Sequence, residues 1–220
     1  MAFTRTIVLS AGMPRSGSTW LYNVARLLIE SDTNLAKRFA FGWVGDFKKL
    51  PTQGSCLIKL HEFDAEIAES ADVILYSYRD IRDATASTVR KFNKAATLEM
   101  VDQFVREHGQ WAAKAGYVMR YEDMLVEKET IVQQVATTLG IAEIDPAAIT
   151  ASVEALAYES KGKKRKTYHK QNLYHRNHIT DGRHGSWQGV LSDEFVEAIE
   201  QRHSDWLHEH GYRLAHEMIS

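Results

Sequence analysis

Cysteine and proline are scarce in this chain. Cys56 is the single cysteine in 220 residues, which excludes an internal disulfide and zinc clusters built from several thiolates, and suits a reducing compartment. Proline occurs three times, and there is no Pro- or Ser-rich linker and no internal repeat, so one domain spanning residues 1–220 is expected. Long apolar runs are also missing: none approaches the roughly 18 residues of a membrane span. The opening stretch MAFTRTIVL is too short in its apolar part for a signal peptide. The expectation is a cytoplasmic protein with no membrane partner. Charge of one sign is lacking too. A formal net charge of −2 gives no overall pull toward nucleic acid or an anionic surface, so any anion site must be local.

What is present is the composition of an ordinary globular protein with a sizeable core, arranged in alternating short and long apolar patterns. Thr6–Ala11, Leu57–Leu60, Val73–Tyr78 and, more weakly, Tyr117–Tyr121 are brief, rich in Ile, Val, Leu and Tyr, and bounded by polar residues or glycine, which predicts strands. Helical spacing is carried by Trp20, Leu21, Val24, Leu27 and Leu28, by Leu98 to Trp111, and by Ile131, Val135 and Leu139 ahead of Gly140. A last helix is predicted from a Ser192 cap, with Asp193 and Glu194 in its first turn, to Gly211. Strands alternating with helices imply an α/β fold of three layers, α/β/α, around a mainly parallel sheet. Two stretches break the rhythm and read as surface loops: the aromatic and glycine mixture from Phe39 to Gly54, and the basic SKGKKRKTYHKQN from Ser160 to Asn172. His203, His208, His210 and His216 lack a metal-binding pattern and read as solvated.

The stretch GMPRSGSTWL, Gly12 to Leu21, follows the first strand and opens the first helix. Gly12 and Gly17 have the spacing of a phosphate-wrapping loop, whose backbone N–H groups and helix N-terminus hold an anion. An ATP-type loop places Lys before Ser or Thr; here Ser18 precedes Thr19, and the cation, Arg15, lies inside the loop. That favours a terminal phosphate or phosphosulfate over a triphosphate. In LIKLHEF, Lys59 and His61 are two apart in a strand and project together, an ammonium beside an imidazole at a strand end. Such a pair suits group transfer, the imidazole removing a proton and the ammonium offsetting charge on a leaving oxygen. A neighbouring Lys and His on a strand terminus is the plainer alternative.

PRSGSTWL, Lys-x-His, YSYRDIRDATAS, MRYEDML and DGRHGSWQG, in this order, make the chain resemble the sulfotransferases that use 3′-phosphoadenosine-5′-phosphosulfate (PAPS). The resemblance implies a P-loop-like phosphosulfate-binding loop formed by Arg15, Ser16, Gly17, Ser18 and Thr19. It implies His61 as base, with Lys59 and Arg15 as catalytic cations. Arg79 and Ser87 would grip the 3′-phosphate, and Trp20 and Tyr121 would flank adenine. Two alternatives stay open: Arg79 with Asp83 also has the spacing of an i, i+4 helix pair, and Trp20 fits core packing. The C-terminal motif of the family carries Arg and Lys where this chain has Thr180 and Asp181, leaving Gly182 and Arg183 as candidate contacts. The implied activity is transfer of a sulfuryl group from PAPS to a hydroxyl, or less readily an amine, of a small-molecule or carbohydrate acceptor. PAP would be the product, with no metal and no nucleic acid involved. A P-loop small-metabolite kinase and a non-catalytic nucleotide-binding regulator are the rival readings. Phe39, Phe41, Trp43 and Phe47 read first as core or loop-packing aromatics, with some of them lining the acceptor pocket as the alternative.

Overall fold

A computed structural model describes residues 5–47, 49–159, 169–174 and 182–218. Its centre is a parallel sheet of β1 (Ile7–Gly12), β2 (Phe39–Trp43), β3 (Ser55–Leu60), β4 (Val73–Tyr78) and β5 (Tyr117–Arg120), hydrogen-bonded in the order β2-β3-β1-β4-β5. The connection leaving β1 leads toward one edge and that leaving β4 toward the other. A crevice therefore opens between their carboxyl ends, where ligands of open α/β sheets bind.

The helices are α1 (Ser18–Ser31), α2 (Thr33–Ala36), α3 (Ala65–Glu69), α4 (Ile81–Phe92), α5 (Leu98–Ala112), α6 (Tyr121–Val126), α7 (Lys128–Thr138), α8 (Pro146–Glu159) and α9 (Asp193–Glu209). Alternate strand residues face opposite layers. Val8, Leu57 and Leu75 pack with Leu21, Val24 and Leu28 of α1, Val135 of α7 and Val153 of α8. Ile7, Leu9, Ile58 and Tyr76 pack on the other face with Ala68 of α3 and Trp111 of α5. A third cluster joins Ile81 of α4, Phe104 of α5 and Ile199 and Leu207 of α9, and it reaches Met13 in the loop after β1. The three-layer α/β/α arrangement expected from the sequence is present.

Several expectations need correction. Phe39 to Trp43 is the edge strand β2, not loop; Phe39, Phe41 and Trp43 alternate with Ala40 and Gly42, so the period of two was there to be read. The short helices α2 and α3, each capped by an aspartate, and α8 were not anticipated. The four terminal histidines are not uniformly solvated. His208 is exposed, but His203 pairs with Asp102 at 2.9 Å, and His210 stacks on Trp206 and lies 2.9 Å from the buried His108. The basic run at 160–168 lies outside the described residues. Among the described residues no helix is long and apolar enough to cross a membrane.

The third layer is tied down by charge as well as by apolar packing. Arg82, buried just inside α4, is held by Asp80 at 2.7 Å and by Glu200 of α9 at 2.5 Å, and Glu200 also accepts the Ala215 N–H at 2.9 Å. Glu200→Ala leaves the guanidinium with only Asp80. It is expected to lower unfolding free energy by about 3 kcal/mol in urea titrations, the low end for breaking a buried pair because one partner survives.

Candidate active site

The loop after β1 is shaped by what Gly12 lacks. A Cβ at Gly12 would land on Ser77 Oγ and within 2.5 Å of Ser18 Cβ, so glycine is what lets β1, β4 and the start of α1 converge. Ser16 fills the space beneath: it is fully buried, with Oγ 2.7 Å from Met13 O and 2.7 Å from Ser77 Oγ. Its hydroxyl is thus spent on holding the loop, while Met13 N donates to Ser77 O at 2.8 Å. Arg15 and Gly17, on either side of Ser16, adopt left-handed backbone with φ of 69° and 77°. For a non-glycine such as Arg15 this conformation costs about 1–3 kcal/mol and persists only where surroundings enforce it. The first helix then begins at Ser18 on Gly17, with no capping side chain and no acidic residue in its first turn. Its leading N–H groups and positive dipole end are consequently available to an anion.

Across the cavity stand Lys59 and His61 at the carboxyl end of β3. His61 Nδ1 lies 2.6 Å from Gly12 O. A carbonyl can only accept, so Nδ1 carries the proton and Nε2 presents its lone pair. That lone pair receives Lys59 Nζ at 3.1 Å. Burial, with help from the Lys59 charge, pushes the imidazole down to about 3, so it is neutral at pH 7. Burial and then Arg15 bring the Lys59 ammonium down to about 7. Behind the pair, Trp111 Nε1 donates to His61 O at 3.0 Å, and Lys59 Nζ sits 5.1 Å from the Trp43 ring centre. Trp43 therefore borders the Lys59–His61 pair and, like Phe39 and Phe41, packs against the core cluster of α1.

Arg79 follows β4 directly and is 3% exposed. Its Nη1 donates to Arg15 O at 3.2 Å and its Nη2 to Arg183 O at 3.0 Å, while the guanidinium lies 4.1 Å from the Tyr121 ring centre. Its Nε is buried without a hydrogen-bond partner. The i, i+4 pair with Asp83 is also present, at 3.1 Å. Ser87, one turn further along α4, accepts from Arg15 Nε at 3.0 Å. The structure thus brings Arg15, Arg79, Ser87 and Tyr121 together. Gly182 reaches the same cavity, but Arg183 contributes its carbonyl, its side chain being exposed. Thr180 and Asp181 lie outside the described residues.

A cavity of about 530 Å³ is lined by Arg15, Gly17, Ser18, Thr19 and Trp20 together with His61, Arg79 and Tyr121, while Lys59 and Ser87 stand behind His61 and Arg15, which they contact. Trp20 lines it and is at the same time part of the core cluster under α1, so both sequence readings hold. Sequence reasoning missed the outer wall, made by Phe92 of α4 and Met100, Phe104 and Glu107 of α5, with Glu62 beside His61 and Tyr174 beyond. Nothing local in the sequence marks these residues as cavity-lining; Phe92 is 56% exposed at the end of α4. Sequence reasoning also passed over Asp83 as anything more than a pairing partner. It is wholly buried and collects Arg79 Nη2, Gly185 N at 2.7 Å, Ser186 Oγ at 3.1 Å and Trp187 N at 2.9 Å.

No family model matches the chain, and no curated protein matches its sequence. Solved structures do match. Mouse sulfotransferase SULT7A1 complexed with PAP aligns with a TM-score of 0.65 at 14% identity, over 92% of this chain and 84% of that one. Retinol dehydratase in a complex with retinol and PAP aligns at 0.59 and 16% identity, over 94% and 82% of the two chains. Retinol dehydratase in complex with androsterone and inactive cofactor PAP gives 0.58 at 16% identity, over 96% and 83%. The chain has the sulfotransferase-like α/β fold.

Lys59 generates a pH signature that needs no ligand. Its folded value of about 7 lies below the ordinary 10.5, so between these two the unfolded chain binds the extra proton and stability rises with pH. The penalty is full below about pH 7 and vanishes above about 10.5. Lys59→Met is expected to be more stable than the wild type at pH 6, with the gap closing as the pH rises to 10 in parallel urea titrations. A gap that stays constant would show that Lys59 does not titrate in this window.

Proposed function

We propose that this chain is a single-domain, cytoplasmic PAPS-dependent sulfotransferase that moves a sulfuryl group to a hydroxyl of a small-molecule or carbohydrate acceptor. One observation carries the reading: a neutral imidazole whose Nε2 meets the Lys59 ammonium shares one cavity with the uncapped start of a helix, the half-buried Arg15 and the buried Arg79. The donor's needs fit the residues present. The N–H groups at Ser18 and Thr19, with Arg15, suit the 5′-phosphosulfate, and the unpartnered Nε of Arg79 suits an oxygen of the 3′-phosphate, with Ser87 nearby. Trp20 and Tyr121 offer flat faces for adenine. Support also comes from the nucleotide PAP in the fold neighbours, two of which hold alcohols, retinol and androsterone.

When bound, the donor supplies an electrophilic sulfur and a leaving bisphosphate nucleotide. His61 Nε2 takes the acceptor's hydroxyl proton as the acceptor oxygen bonds to sulfur and the bond from sulfur to the bridging phosphate oxygen breaks. Lys59, turning from His61 to that bridging oxygen, offsets its new charge, and Arg15 and Thr19 stabilise the sulfuryl oxygens. The arrangement calls on no metal ion; positioning and charge stabilisation supply the rate.

PAP, and not ATP, should raise the melting temperature, since a ligand held only by the native state stabilises it, by about 2.7 kcal/mol at 100 times its Kd. Equal responses to both would return the loop to a general nucleotide site. His61→Ala should lower turnover of radiolabelled sulfate onto alcohols, phenols or sugars by about 10²–10⁴-fold while PAP binding survives. Unchanged turnover would remove His61 from the chemistry.

A further inference from the structure

We propose that Asp83 is the positioning residue that makes this site selective for a 3′-phosphorylated nucleotide, by locking Arg79 and the 182–187 segment into one geometry. The inference rests on the donor reading above and goes beyond it, because Asp83 touches no ligand in that reading. Its carboxylate is 0% exposed and fully subscribed. Oδ2 takes Arg79 Nη2 at 3.1 Å and Gly185 N at 2.7 Å; Oδ1 takes Trp187 N at 2.9 Å and Ser186 Oγ at 3.1 Å. The segment closes the loop by returning the Arg183 carbonyl to the same Arg79 nitrogen at 3.0 Å. Nη2 is thereby held between the Asp83 carboxylate and the Arg183 carbonyl, and the guanidinium carbon lies 4.1 Å from the Tyr121 ring centre. What remains buried and unmatched at Arg79 is Nε.

Two opposite effects of Asp83 on a phosphate can be separated by sign. Its negative charge, beside Arg79, repels an incoming phosphate, so if charge alone mattered, removing it would tighten binding. Its geometry does the reverse. In Asp83→Asn one oxygen becomes an NH₂, which cannot accept from the groups an oxygen served, so either Arg79 or the segment is released. This chain has no cation at 180 or 181 to compensate, those positions being Thr180 and Asp181.

Titration calorimetry of the full chain with PAP and with AMP, which lacks the 3′-phosphate, at one salt concentration distinguishes the cases. The wild type is expected to prefer PAP. Asp83→Asn should weaken PAP by about 10–100-fold, the loss of a charge-assisted contact, while AMP changes by less than about twofold. In an Arg79→Ala background the same change should add no further loss for PAP. Tighter or unchanged PAP binding overturns the proposal, as does equal weakening of both nucleotides, which would mean general damage to the loop. Should Asp83→Asn fail to fold, Ser186→Ala, at a half-buried position, removes one contact to the carboxylate together with the hydrogen bond that Ser186 Oγ accepts from Arg90 Nη2 at 2.9 Å. Arg90→Ala, which removes the latter and spares the former, serves as its control. Ser186→Ala should lower the PAP to AMP preference by about threefold, and an unchanged preference overturns the proposal. A wild type that binds neither nucleotide defeats the donor reading and this inference together; a variant that keeps full discrimination defeats only the role of Asp83.

Discussion

The close approach of backbone at Gly12 is the constraint on which the site depends. Because no side chain stands there, β1 and β4 can run side by side to their ends while α1 starts directly above them. Ser16 then reaches under the loop to Ser77, and His61 reaches over to the carbonyl of Gly12 itself. One residue without a side chain thus sets both the curvature of the anion loop and the tautomer of the imidazole opposite. The sheet order places this point beside the crevice between β1 and β4, so the packing requirement and the chemical requirement coincide.

The electrostatics of the cavity follow from crowding cations in a dry place. Arg15 is pushed down to about 10 by burial and by Arg79, and Lys59 to about 7 by burial and by Arg15. Among these cations Asp83 takes up Arg79, yet no carboxylate forms an ion pair with Lys59 among the described residues. An anion placed among these cations would oppose the depression of each pKa, since opposite charge favours the protonated form. Electrostatic preorganisation of this kind is set in place by folding and not by the ligand.

How much was visible in the sequence can be argued residue by residue. β1, β3, β4 and β5 were legible because buried parallel strands are brief continuous apolar runs, and their carboxyl ends carried Gly12, His61, Arg79 and Tyr121 in order. The edge strand β2 was not, because its glycine and aromatics suggested a loop although their alternation spelled a strand. Ser16 belonged to the phosphosulfate-binding loop by family resemblance alone; only the packing around Gly12 shows its hydroxyl turned in toward Met13 and Ser77. Asp83 looked like half of a helix surface pair, and its contacts with Gly185, Ser186 and Trp187, about 100 residues away, have no local trace. The outer wall from α4 and α5 was hidden for the same reason: which helix faces a cavity is decided by packing and not by periodicity.

The two edges of the sheet carry a further consequence. β2 has five residues and β5 only four, and β5 passes without a break into α6. Each edge therefore offers few unsatisfied amides to a stray strand, and a second molecule would find almost nothing to zip onto.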